Sequence, residues 1–192
     1  MSLPFITLTL LGILVALPVP AQQTTPRPAS CDVRQTVTSV LALIEERLQL
    51  AEDVARYKWN TQGEIEDKRR EQAIISHLGQ RAIAQGLPVA WAESFFRAQI
   101  EASKTVQQAF FADWRLNQAS RFDGVPDLAE TTRPKLDALT VKLIAALAAA
   151  SPQLRQCGDA VARLIKENPN TVQPWQAAYA AAIAPLLKFT GQ

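Results

Sequence analysis

Histidine is almost missing from this 192-residue sequence: His77 is the only one. Cysteine is nearly as scarce, with Cys31 and Cys157 alone. That excludes a His-rich metal centre, a zinc ribbon and a CxxCH haem site. No GxGxxG, phosphate-loop, GxSxG or HExxH pattern occurs. An enzyme built from this sequence is expected to work with no cofactor: no metal, no nucleotide and no covalent nucleophile. An excess of one charge is also lacking. The 20 Lys and Arg face 18 Asp and Glu, a net charge of +2, too balanced for nucleic-acid binding through a broad basic surface. Glycine is sparse at 7 residues, whereas Ala and Leu are abundant, which favours helix over strand. Hydrophobic residues make up 48%, enough for a core and against disorder. The length suits one domain, or one with an extension.

The only long apolar run is at the beginning. Leu3 to Leu17 carries no charge, Pro18 and Pro20 break the run, and Val19-Pro20-Ala21 supplies small residues of the kind a signal peptidase reads. The expected organisation is a signal peptide over 1–21, cleaved after Ala21, and a flexible polar, Pro-rich leader over 22–31. The n-region departs from the usual pattern in having no Lys or Arg. The alternative is an uncleaved membrane anchor, since Leu3–Ala21 is almost long enough to span. A lipoprotein fits less well, because Cys31 lies well past the apolar run. Export implies a periplasmic or secreted protein with no stable membrane association after cleavage. In such an oxidising compartment Cys31 and Cys157 make an even pair for a disulfide, with two free thiols as the alternative. Closing so long a loop would stabilise by about 4–5 kcal/mol on the chain-entropy model.

The remainder reads as all-α, about six helices. The first is predicted from Asp32 to Asn60, with Gly63 at the turn. The second starts at Glu64-Ile65-Glu66-Asp67, acidic residues that suit a helix N-terminus. Gly86 ends it and Pro88 opens the third, which runs to about Leu116. After a loop over Asn117–Pro126, Thr131-Thr132-Arg133-Pro134 starts a fourth helix that continues to Ala150. Ser151-Pro152 caps a fifth, and Asn168–Pro174 separates it from a sixth. The helical region 32–118 and the C-terminal helical region 119–192 are expected to pack as one domain.

Polar residues interrupt the apolar seams. On the first helix Val40, Ile44, Arg47, Ala51, Val54 and Lys58 step by 4, 3, 4, 3, 4, a stripe that faces a neighbour. Arg47 and Lys58 are eleven residues apart, so both point the same way, about 16 Å apart along the axis. On the third helix Phe96, Ile100, Ser103, Gln107, Phe110 and Trp114 repeat the spacing. On the second, Asp67, Glu71, Ile74 and Leu78 do so, with Arg70 beside Asp67. A later seam, Arg133, Leu136, Thr140, Leu143 and Leu147, starts with Arg. Buried charge is costly unless matched. Taken singly, each has an ordinary explanation: Arg47 with Glu71, or Lys58 with Asp67, as a structural ion pair, Gln107 as a satisfied core amide, or a Lys or Arg that snorkels to the surface. Together, three or four cations face only two carboxylates, which points to an internal pocket for an anionic ligand, a dicarboxylate.

These residues carry a resemblance. Glu46-Arg47-Leu48, Tyr57-Lys58-Trp59, Ile65 to Glu71, Gln99 to Ser103 and Gln107, at these separations across three helices, resemble the all-helical chorismate mutases. The exported subclass, with a signal peptide and additional C-terminal helices, is most similar. The resemblance is firm over Asp32–Asn117 and weaker over Pro126–Gln192. It implies that Arg47 binds a substrate carboxylate, and that Lys58 contacts a carboxylate and the ether oxygen, to which Gln107 also donates. Arg70 and Ser103 would hold a carboxylate with the backbone at Asp67 nearby, and Glu71 would accept from the ring hydroxyl. Arg133 matches the position where exported members supply an Arg from their own chain. Ile74 departs from some exported relatives, which have a polar residue there. Such relatives are usually homodimers. The implied reaction, chorismate to prephenate, is an intramolecular rearrangement that needs no cofactor. Related readings are an isochorismate-pyruvate lyase-like enzyme with a similar cationic pocket, an exported non-catalytic dicarboxylate-binding protein, and a structural bundle whose seam charges pair among themselves and leave no cavity.

Overall fold

The computed structural model describes residues 31–167 and 175–189. The expected signal peptide, and the leader as far as residue 30, lie outside the described residues, as does the expected separator 168–174. Among the described residues six α-helices follow in order: α1 (Arg34–Thr61), α2 (Lys68–Ala84), α3 (Val89–Leu116), α4 (Arg133–Gln156), α5 (Gly158–Glu167) and α6 (Gln176–Ile183). A π-helical turn, Leu128–Thr132, leads into α4, and a 3-10 turn, Ala184–Lys188, extends α6.

α1 contains no Gly or Pro, and its apolar stripe is buried from Val37 to Val54, with Arg47 inside it. It stops at Gln62, whose φ of 54° puts it in the left-handed region, while Gly63 N–H returns to the Lys58 carbonyl at 2.8 Å. α2 begins at Lys68, four residues later than predicted. The acidic cluster precedes the helix instead of opening it, because Asp67 acts as the cap. Its carboxylate accepts from Arg70 N–H at 3.0 Å, and Glu71 Oε1 accepts from Asp67 N–H at 3.1 Å. At the other end Gly86, with φ of 71°, makes the left-handed turn into α3, a conformation strained for any residue with a side chain.

α3 is the central element: α1, α2 and α6 all pack on it, and α1 packs on α4 as well. α1 and α2 hardly touch each other, so a gap is left between them above α3. The main core joins Val40, Ile44, Phe95, Phe96, Leu143 and Leu147, all essentially without exposed surface. A smaller aromatic cluster of Trp59, Phe111, Trp114 and Phe122 closes one end. It also fixes the segment after α3. Asn60 accepts from Phe122 N–H at 2.9 Å and donates to its carbonyl at 2.8 Å, and Trp59 donates to the Ser120 carbonyl at 3.2 Å. That anchored segment delivers the chain to Asp127, which caps the π turn and sets the start of α4. The helical turn therefore begins at Leu128, before the predicted Thr131.

α4 corrects a second prediction. Ser151-Pro152 does not open a new helix; α4 runs through Pro152 to Gln156. Proline removes one ladder bond, but continuing the helix keeps Leu143, Leu147, Ala150 and Leu154 in one buried 4, 3, 4 register. The break falls instead at Cys157-Gly158, where Cys157 is bridged to Cys31 with Cα atoms 5.8 Å apart. α6 closes the bundle through Gln99, which donates to the Ala182 carbonyl at 2.8 Å, and Trp91, which donates to the Pro185 carbonyl at 3.0 Å.

Candidate active site

The gap between α1 and α2, roofed by the start of α4, is a cavity of about 640 Å³, within the usual range for a small-molecule site. Its wall holds Arg47 and Lys58 from α1, Asp67 at the α2 cap, Arg70 from α2 and Arg133 from α4. Val54, Ile74, Leu78, Leu128 and Leu136 give it apolar surface. A bundle with all its seam charges paired would have no such cavity.

Each cation is placed by its helix. Arg47 is on the buried stripe of α1 at 9% exposure, and its Nε has no hydrogen-bond partner. Burial pulls this guanidinium down to about 10, against the opposing influence of Asp137. It remains charged at neutral pH. Lys58, half-buried one turn before the end of α1, donates to the Ile65 carbonyl at 2.7 Å. Burial also lowers the Lys58 ammonium. Asp67 and Glu71 oppose that shift, while Arg133 and Arg70 add to it. Lys58 therefore shares one electrostatic neighbourhood with four of the predicted residues. Among the described residues none of Arg47, Lys58, Arg70 and Arg133 has a carboxylate within salt-bridge distance. The structural pairs Arg47–Glu71 and Lys58–Asp67 do not form.

Glu71, Ser103 and Gln107 stand apart from this wall. Glu71 is held by Lys104, at 3.1 Å, and by the Asp67 amide. Gln107 is buried at 4% exposure. Its Nε2 donates to Ser103 Oγ at 3.1 Å, and its Oε1 has no partner. Turning the amide over would let Ser103 donate to Oε1 and free the NH₂ group to donate elsewhere.

Several ionisable residues of the site region were not anticipated as part of it. Glu64, Asp137, His77 and Arg81 line the cavity, and Lys104, outside its wall, is buried among Glu66, Glu71 and Glu101. Asp137 is four residues beyond Arg133, and Arg81 is the next 3-step of the α2 seam after Leu78, so both were signalled by spacing. Lys104 was not, since it lies off the α3 seam and is buried only because carboxylates from the α2 cap region converge on it. A larger cavity of about 1140 Å³ shares Lys58 with the first and is lined by Lys104 and Arg115, but Arg47, Arg70 and Arg133 are absent from its wall.

Comparison with known proteins places this geometry. Residues 38–108 match the family model described as chorismate mutase type II. The chain is 34% identical over 140 residues to the secreted chorismate mutase of Mycolicibacterium smegmatis, covering 73% of this chain and 76% of that protein. It is 31% identical over 134 residues to the secreted chorismate mutase of Mycobacterium tuberculosis, covering 70% of this chain and 65% of that protein's length. The crystal structure of chorismate mutase from Burkholderia thailandensis superposes with a TM-score of 0.71 at 39% identity, covering 79% of this chain and 99% of that one. With the fold, the family match and relatives of this extent in agreement, the chain belongs to the type II chorismate mutase family.

Proposed function

We propose that this chain catalyses the rearrangement of chorismate to prephenate in the cavity between α1, α2 and α4. One observation carries the reading. Arg47, Lys58, Arg70, Arg81 and Arg133 face only Glu64, Asp67 and Asp137 on the cavity wall, which leaves an excess of two positive charges. A dicarboxylate neutralises that excess and supplies an acceptor for Arg47 Nε, a donor buried without a partner.

The reaction breaks a C–O bond and makes a C–C bond within one molecule. No group enters or leaves, so the protein has two tasks. It must hold the flexible substrate in its chair-like reactive conformer, which Arg47, Arg70 and Arg133 do by gripping the carboxylates from three helices. Guanidinium forks suit this because they bind carboxylates bidentately. It must also stabilise the negative charge that grows on the ether oxygen as the bond breaks. Lys58 is assigned to that oxygen, and Gln107, off the cavity wall as it stands, is the second donor once its amide turns over toward the gap above α3. Ser103 orients Gln107, the Asp67 backbone lies at the carboxylate end, and Glu71, fixed by Lys104, accepts from the ring hydroxyl. These interactions accelerate the reaction to the extent that they are stronger in the transition state than with bound substrate.

Further parts of the reading concern the whole protein. It acts as an exported homodimer, periplasmic or secreted, and leaves the membrane once residues 1–21 are removed. The apolar run Leu3–Leu17, the Cys31–Cys157 bridge and relatives named as secreted support export. The resemblance to exported mutases supports the dimer. The test is turnover: purified protein is incubated with chorismate and, in parallel, with isochorismate, in the presence of a chelator, and products are followed by NMR. Prephenate from chorismate is expected. Salicylate and pyruvate from isochorismate, with chorismate untouched, would overturn the assignment, as would binding of chorismate without turnover.

A further inference from the structure

One cation on the cavity wall has no task in the mechanism above. Arg81, in the last turn of α2, is half-buried and lines the cavity. Among the described residues it has neither a salt bridge nor a hydrogen bond from its guanidinium. Eleven residues separate it from Arg70, the spacing that separates Arg47 from Lys58 on α1. Each pair therefore spreads over about 16 Å of its helix. Lys58 interacts with Asp67, Arg70 and Glu71 at the start of α2. Arg81 consequently stands at the far end of the α2 wall from that group, and Arg47 stands equally far along the α1 wall.

The charges divide between the two ends. At the Lys58 end, Lys58, Arg70 and Arg133 outnumber Glu64 and Asp67 by one. At the other end Arg47 and Asp137 line the same cavity, and Asp137 opposes the effect of burial on Arg47 without forming a salt bridge to it, so the two balance in charge count. Without Arg81 that end would be neutral and a poor host for a carboxylate. With it, each end carries one net positive charge, which matches one carboxylate at each end of a dianion. Ile74 and His77, between Arg70 and Arg81 on the same α2 face, complete the wall.

We infer that Arg81 is a substrate-binding, specificity-determining residue whose guanidinium joins Arg47 on the carboxylate bound at the Arg47–Asp137 end of the cavity. The inference rests on the proposed reaction for the identity of the dianion. Arg81 grips a group remote from the breaking bond, so it binds substrate and transition state alike. Its loss acts on KM and leaves kcat in place.

The test compares wild type with Arg81→Ala and Arg81→Gln, each first shown to melt within a few degrees of wild type. The steady-state expectation is a chorismate KM raised about tenfold or more, with kcat within twofold. A second readout is titration of a bicyclic dicarboxylate that mimics the transition state, and of its two monomethyl esters. Wild type should lose affinity for both esters. The Arg81 variants should discriminate less against one ester only, the one blocked at the Arg81 end, which a merely structural role would not produce. Unchanged KM, a fall in kcat at constant KM, or ester discrimination identical to wild type would overturn the inference. Absence of chorismate turnover by wild type would overturn the proposed reaction instead. The ester titrations, which need only binding, would still decide the role of Arg81.

Discussion

Lys58→Ala is the most informative single change, because it removes the one ammonium among the described cavity residues. Of its three N–H groups one is held by the Ile65 carbonyl at 2.7 Å, which leaves two for a ligand. The helix and this hydrogen bond hold the donor in place before substrate arrives. Loss of one such preorganised donor typically costs about 3 kcal/mol of transition-state stabilisation. That is a fall in kcat of roughly 150-fold. The orphaned Ile65 carbonyl costs about 1 kcal/mol of stability, too little to unfold the domain. Steady-state kinetics on protein checked by circular dichroism and thermal melting is the assay. A folded Lys58→Ala protein with kcat within about threefold of wild type would refute the role. The same residue sets a pH dependence. The working form is the protonated one, and burial lowers the ammonium below the ordinary lysine value, Arg133 and Arg70 adding to the effect and Asp67 and Glu71 opposing it. kcat/KM should therefore fall as pH rises, with a midpoint below about 10.4. In Lys58→Arg that limb should move to higher pH; a limb left in place would belong to another group.

Arg47→Lys replaces a buried fork by a point charge and should raise KM about tenfold with kcat less affected; an unchanged KM would argue against direct carboxylate contact. Reduction of the Cys31–Cys157 bridge, which spans 126 residues, should destabilise by up to about 5 kcal/mol on the chain-entropy model. Urea midpoints with and without reductant measure this, and coincident midpoints would contradict it. Lys104→Met should cost about 1–2 kcal/mol at neutral pH, since the carboxylates it leaves behind are only partly buried. Burial pulls the Lys104 ammonium down, but hydrogen bonds to Glu101 and Glu71 outweigh this and hold it above the ordinary lysine value. A raised pKa stabilises the fold fully below the unfolded value of about 10.4 and loses that effect as pH rises through the folded one. The gap between wild type and variant should thus close only at strongly alkaline pH, and a gap closing below pH 9 would refute the assignment.

Much of this molecule can be read from spacing. The stripes of 3- and 4-residue steps that carry Arg47, Lys58 and Arg133, with Arg70 beside the α2 stripe, lead to one cavity because an amphipathic helix shows its neighbours whatever lies on its apolar face. The helix starts were less legible. Glu64 and Asp67 are equally good candidates for a first turn on charge alone, and the choice fell to Asp67 through its reciprocal hydrogen bonds with Arg70 and Glu71. Pro152 reads as a boundary, yet packing of Leu147, Ala150 and Leu154 carries α4 past it. Lys104 could not be foreseen, since its burial depends on Glu66, Glu71 and Glu101 arriving from two elements. Arg81 could have been, by extending the α2 seam one step past Leu78.

The central claim is that cations from α1, α2 and α4 converge on one doubly negative guest. Calorimetric titration of the bicyclic dicarboxylate into wild type and into Arg47→Ala, Arg70→Ala and Arg133→Ala tests it most directly. A single site is expected, bound at least a hundredfold more tightly than chorismate as a transition-state mimic should be, and weakened at least tenfold by each substitution. Affinity no better than that for chorismate, or affinity indifferent to substitutions on any one of the three helices, would contradict it.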